Sequence, residues 1–251
     1  MFRYFAAFAS PLFLAVALTA ADAPQKVTIR WHGQSFFEIE SSKGTRIVID
    51  PHAIEAYGRK SVPADLVLIT HLHTDHTQLG AVKTQPKTKI HFGLRGAANK
   101  ATWNPIDETF RDVHVQSVGV YHDESQGMER GKNTIFILEV DGLRIVHLGD
   151  LGHVLSDTQL KSIGPVDVLM IPVGGVYTIN GSDAKKVVAQ LKPRRFILPM
   201  HYGTKVYDEL LPADEFLDEQ KNIKKFVTNK LTVETDFKPA EPIIAVLDWK
   251  N

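Results

Sequence analysis

Asp65-Leu66-Val67-Leu68-Ile69-Thr70 runs directly into His71-Leu72-His73-Thr74-Asp75-His76, and this join decides how the chain is read. The first six residues are apolar enough for a strand buried on both faces. The next six therefore begin where a strand leaves its sheet, which is where ligands bind in open α/β sheets. Alternate residues of an extended segment point the same way, so His71 and His73 can share one metal ion. Asp75 and His76 lie beyond the bend and can serve a second. A merely solvated loop is a poor account of three histidines and an aspartate at this spacing.

Working outward, three more candidate ligands occupy the same position relative to an apolar run. His122 follows residues 113–121, Asp150 follows 143–149 and His201 follows 195–200. Taken singly, His122 could be an ordinary loop histidine and Asp150 a helix N-cap; their shared placement argues for one site. A carboxylate has two oxygens and can bridge two ions about 3.5–4 Å apart, which a neutral imidazole cannot.

The rest of the sequence limits what this site can be. The 251 residues contain no cysteine, which removes disulfides, thiolate metal sites and thiol nucleophiles together. Any metal must be held by histidine and carboxylate. Lysine plus arginine equal aspartate plus glutamate at 29 each, with no long run of either sign, so neither nucleic acid nor a membrane surface is an expected partner. The expected partner is a small-molecule substrate.

Strand-like runs at 27–31, 35–39 and 46–49 open the mature chain, followed by 66–70, 89–92, 113–121, 134–140, 143–148, 166–173 and 195–200. Asp141-Gly142 marks a tight hairpin. Helical patterns fall at 78–82, 157–163, 182–191 and 212–221. The order predicts an α/β fold with two sheets covered by helices. Ahead of it, Arg3, an apolar stretch to Ala17 and small residues around Ala21 and Ala23 read as an export signal over residues 1–23, leaving a single domain over 24–251. The apolar stretch is shorter than the roughly 20 residues that span a bilayer, so the product is expected to be periplasmic or extracellular.

The order HLHTDH, a lone histidine, HLGD and PMHYGT resembles the metallo-β-lactamase superfamily, and most closely its small metal-dependent hydrolases related to the ascorbate-6-phosphate lactonases. Trp31-His32-Gly33-Gln34-Ser35, Ile49-Asp50-Pro51, Gly149-Asp150-Leu151-Gly152-His153 and Pro172-Val173-Gly174-Gly175-Val176-Tyr177 look like the same branch. The resemblance implies a four-layer αββα sandwich. It also implies His71, His73 and His122 around one metal, Asp75, His76 and His201 around the other, and Asp150 between them. His122 lies in Val120-Tyr121-His122-Asp123-Glu124 rather than the Thr-Pro-Gly-His of true β-lactamases, which argues against antibiotic hydrolysis.

Two divalent cations in such a site would lower the pKa of a shared water toward neutrality and polarise the carbonyl or phosphoryl oxygen under attack. Asp75 is the expected proton acceptor. His153, three residues past Asp150 in a glycine-containing loop, is the second catalytic candidate. Sulfur-free donors suit zinc, with manganese and iron open. The expected reaction is hydrolysis of an ester, lactone or phosphodiester; the alternatives are a metal-binding module without turnover and a di-iron redox protein. His32 is expected beside the site, Tyr177 in its lining, Asp50 as an acceptor supporting the metal loop, and Asp123 without a role. His52, His91, His114 and His147 are expected to be structural or exposed. N-terminal sequencing of the exported product should read from Asp22 or Pro24; a cytosolic chain starting at Met1 would contradict the export reading.

Overall fold

The computed structural model describes residues 1–2, 24–58, 61–97 and 100–250. Apart from its first two residues, the expected export segment over 1–23 lies outside the described residues. Among the described residues no helix is long and apolar enough to cross a membrane.

Two sheets carry the fold. The first holds six strands in the order Lys230–Glu234, Lys26–Trp31, Phe37–Glu40, Arg46–Ile49, Leu66–Ile69 and Lys89–Phe92. Its first three pairings are antiparallel and its last two parallel. The second runs Asp107–Phe110, Val113–Tyr121, Lys132–Val140, Leu143–His147, Val168–Pro172, Phe196–Met200, Ile243–Val246 and Ile223–Lys225. Antiparallel pairing gives way to parallel at Leu143–His147.

The period-two alternation of strands places the core. In Leu66–Ile69 all four side chains are buried: Leu66 and Leu68 join the main core with Ile29, Phe37, Phe136 and Leu138, whereas Val67 and Ile69 join a smaller cluster with Phe36, Val48 and Val62. A strand buried on both faces places polar groups only past its end, and past this one come Thr70 and His71. The hairpin at Asp141-Gly142 forms as expected, with φ of 49° and 77°, the two positive angles a type I′ turn requires.

The crossovers between parallel strands supply the helices. Asp157–Ile163 is held by a capping box in which the Ser156 side chain accepts from Gln159 N and Gln159 reaches back to Ser156 N. Gly181–Leu191 is capped by Asn180 and buries Ala184, Val187 and Leu191. The predicted helices at 78–82 and 212–221 are not realised as such. The first is the 3₁₀ turn Leu79–Ala81, five residues containing Gly80 and Val82 and lacking a side-chain cap being too short to nucleate a helix. The second shrinks to Asp214–Leu217, uncapped at Ala213, with Glu219 and Asn222 at positive φ turning the chain into Ile223–Lys225.

Glycine sets how closely two loops approach. Gly152 N donates to Tyr121 O, and a Cβ at Gly152 would run into the backbone of His122 and Asp123. Gly152→Ala must therefore push the His122 loop away, and is expected to cost about 1–3 kcal/mol, as overpacking does. Urea denaturation checks it; an unchanged midpoint would mean that the loop yields freely.

Candidate metal centre

Every candidate ligand lies just past the C-terminal end of a strand. Leu66–Ile69 leads into His71 to His76 in the first sheet. In the second, Val113–Tyr121 leads to His122, Leu143–His147 to Asp150 and Phe196–Met200 to His201. The two sheets bring these residues together. The ligand atoms of His71, His73 and His122 lie within 4.8 Å of one another, and so do those of Asp75, His76 and His201.

Asp150 sits at the centre, 2% exposed. Its Oδ2 lies 3.0 Å from Nε2 of His201, 3.2 Å from that of His76, 3.3 Å from that of His122 and 3.8 Å from that of His71. Its Oδ1 is occupied separately, accepting from Ser35 Oγ at 3.1 Å. Burial alone would raise the Asp150 carboxyl, but the surrounding histidines hold it well below the usual carboxylate range.

The imidazoles are aimed from behind. Asp50 accepts from Thr70 N at 2.7 Å and from Thr70 Oγ1 at 2.6 Å. With that hydroxyl proton committed, Thr70 Oγ1 can only accept from His71 Nδ1, 2.9 Å away, which leaves His71 Nε2 a lone pair facing the cluster. His71 Nε2 lies 3.1 Å from His73 Nδ1. The other Asp50 neighbour is His76 Nδ1, 3.0 Å from Oδ2, an arrangement that turns His76 Nε2 inward as well. Asp50 is thus a support with both oxygens used, as its place before Pro51 suggested.

This donor set fits divalent cations. Several inward imidazole nitrogens and an ionised carboxylate share a volume with almost no solvent exposure, and they need positive charge among them. Burial pushes the His71 imidazolium down, and His76 is lowered by burial yet held well above its usual value by Asp150 and Asp50. Protons cannot serve every nitrogen at once; cations with nitrogen and oxygen preference can.

His73 is exposed, and Asp75 is half-open. Its Oδ2 accepts from Gln34 Nε2 at 3.3 Å and lies 3.4 Å from His76 Nε2. Burial raises its carboxyl, but the His76 hydrogen bond and charge outweigh that and hold it below the carboxylate range. It lines a cavity of about 340 Å³ with Ala53, Ile54, Thr74 and Gln78. His122 lines a separate cavity of about 330 Å³ with Arg130 and Tyr177. Tyr177 thus has the lining position expected of it, with the Arg130 guanidinium 5.7 Å over its ring.

Several residues fall elsewhere. His153 is not among the converging ligands: its Nε2 accepts from Tyr121 N at 3.2 Å, so its Nδ1 carries the proton and donates to Val154 O at 2.9 Å. Both ring nitrogens are spent on backbone, which corrects the expectation of a free catalytic group. Asp123 is not idle. It accepts from Gly127 N, Glu129 N and Arg130 N and so shapes the loop after His122. His32 faces Glu38 at 3.4 Å, away from the cluster. His52 is pushed down to about 4 by burial, accepts from Ile54 N and donates to His32 O. His147 accepts from Gly149 N and donates to Ser35 O. Ser35, Gln34 and Thr70 were not anticipated as individual contacts.

A family profile described as the beta-lactamase superfamily domain matches residues 28–201. The chain belongs to the β-lactamase superfamily. A UPF0173 metal-dependent hydrolase of Thermococcus onnurineus is 34% identical over 196 residues, covering 71% of this chain and 85% of its own. One from Thermococcus kodakarensis is 33% identical over 195 residues, with the same coverage. The crystal structure of a Thermotoga maritima protein, put forward as a Zn-dependent hydrolase of the metallo-β-lactamase superfamily, superposes with a TM-score of 0.68 at 35% identity, covering 88% of this chain and 98% of that one. The two-sheet arrangement is therefore the metallo-β-lactamase fold.

Asp150→Asn keeps the side-chain shape but puts an amide where an anionic oxygen now faces four imidazoles. It is expected to lower the metal content of this superfamily member by about one ion per chain, read by plasma mass spectrometry. Undiminished metal content would remove Asp150 from the centre.

Proposed function

We propose that this protein is a metal-dependent hydrolase that holds two divalent cations, zinc by preference, and cleaves an ester, lactone or phosphodiester bond in a small substrate. The observation that carries the reading is a pair of three-residue donor groups, two histidines of each lying within 3.8 Å of one carboxylate oxygen, Asp150 Oδ2. The names of the relatives support the hydrolytic class. The N-terminal signal read from the sequence supports a site of action outside the cytoplasm.

Cations bound here supply Lewis acidity and lower the pKa of water toward neutrality. His71, His73 and His122 would hold one, and Asp75, His76 and His201 the other, with Asp150 between. Asp75 has a further part to play. Its Oδ2 is taken by Gln34 and His76, which leaves Oδ1 at the half-open face to accept a proton from the attacking nucleophile. Substrate would enter by the cavities beside Asp75 and His122, whose volumes lie at the low end of the roughly 300–1,000 Å³ usual for ligand sites. Arg130 and Tyr177 border one side of that entry.

Strong chelators should abolish turnover, and zinc or manganese should restore it, on whichever of a panel of lactones, phosphodiesters, thioesters and simple esters is accepted. Asp75→Asn should lower kcat by about 10²-fold with metal in excess. Turnover that persists in protein shown to be metal-free would overturn the reading.

A further inference from the structure

The segment between the first two strands contains a glutamine that the site's proposed chemistry does not require. Gln34 is 2% exposed, and its amide makes one hydrogen bond, from Nε2 to Asp75 Oδ2 at 3.3 Å. Its Oε1 is buried without a partner. A buried unpaired acceptor costs free energy, and an apolar side chain of the same volume would avoid that cost if packing were all that was needed. The backbone makes the choice more pointed. Gln34 has φ of 51°, a left-handed conformation for which glycine or asparagine is the ordinary residue. Gly33 before it, at φ 96°, lies so close to the Tyr57 ring that a Cβ there would meet ring carbons at 2.7 Å. The turn is thus wedged in place, and its carbonyl at Gln34 accepts from both Trp31 Nε1 at 2.9 Å and His201 N at 3.1 Å.

We infer that Gln34 is a positioning residue for Asp75: its amide fixes which carboxylate oxygen faces inward and which faces the substrate. This rests on the reading of Asp75 as metal ligand and proton acceptor. Without the amide, Asp75 on its half-exposed loop has only His76 to set its rotation. The rigid turn that presents the amide also holds the backbone of His201, so two donors of the same proposed metal group, Asp75 and His201, are referred to one point in the first sheet.

The test is a double-mutant cycle on purified protein, read by zinc affinity in competition with a chromophoric chelator. Gln34→Leu removes the donor at similar volume; Gln34→Met, unbranched and of similar length, is the second variant should leucine fold poorly. Either is expected to weaken the more loosely held zinc by about 10–100-fold, the usual effect of losing a group that orients a ligand. In an Asp75→Asn background the same change should add less than about threefold, because the effect runs through the carboxylate. Where a substrate is in hand, kcat should fall with KM nearly unchanged. The inference is overturned if Asp75→Asn weakens zinc while Gln34→Leu and Gln34→Met leave it within about threefold of the parent. It is overturned too if the losses add in full, since Gln34 would then act through the His201 backbone alone. If Asp75→Asn itself leaves affinity and turnover unchanged, the assignment of Asp75 fails and the role of Gln34 falls with it.

Discussion

A carboxylate oxygen with four imidazole nitrogens around it is the constraint on which the rest of this molecule depends. Asp150 Oδ2 is nearly sealed from water, and an ionised carboxylate in that position is tolerable only with compensating charge and a fixed second oxygen. Ser35 fixes the second oxygen, and Asp50 with Thr70 fixes the imidazoles behind. Each of these comes from the end of a different strand or from the turn between two, so the sheets must be in register before any of the contacts can form. The order of elements, the closeness of Gly152 to His122 and the wedge of Gly33 against Tyr57 are all means of holding that register.

Much of this was legible in the sequence, and for a definite reason. A strand buried on both faces is written as an unbroken apolar run, and the first polar residues after it have to be at the end of the strand; Leu66 to Ile69 followed by Thr70 and His71 is such a case. The placement of His122, Asp150 and His201 after their own runs follows the same logic. The division into two ligand groups was carried by the family resemblance; the distances bring each group together, and bring Asp50, His71 and His76 together as well. The support contacts were not legible. Ser35 meets Asp150 across 115 positions, and Gln34 meets Asp75 across 41, and no periodicity encodes such pairings. The motif Trp-His-Gly-Gln-Ser marked the region, but attention to its histidine pointed away from the two residues that reach the site.

The errors have physical causes as well. His153 had the residue type and spacing of a catalytic group, but spacing says nothing about whether the backbone nearby has unsatisfied groups; Tyr121 N and Val154 O use both of its nitrogens. Asp123 looked dispensable beside His122, yet three backbone amides converge on it. The strands Asp107–Phe110 and Lys230–Glu234 were passed over because edge strands carry charged residues on their exposed face, and Ile243–Val246, apolar and inside its sheet, because a run of four residues stands out too little.

The two donor groups share one further property. His71 and His73 belong to the first sheet and His122 to the second; Asp75 and His76 belong to the first and His201 to the second. An ion held in either group would therefore cross-link the halves of the sandwich, comparable to a reversible staple in a protein that has no cysteine to make a covalent one. By mass action, each such ion at 1,000 times its dissociation constant adds about 4 kcal/mol against unfolding. With metal so held, its availability would govern how long the folded chain lasts as well as what it can do, and a cell or medium that withholds metal would shorten the life of the protein along with silencing it.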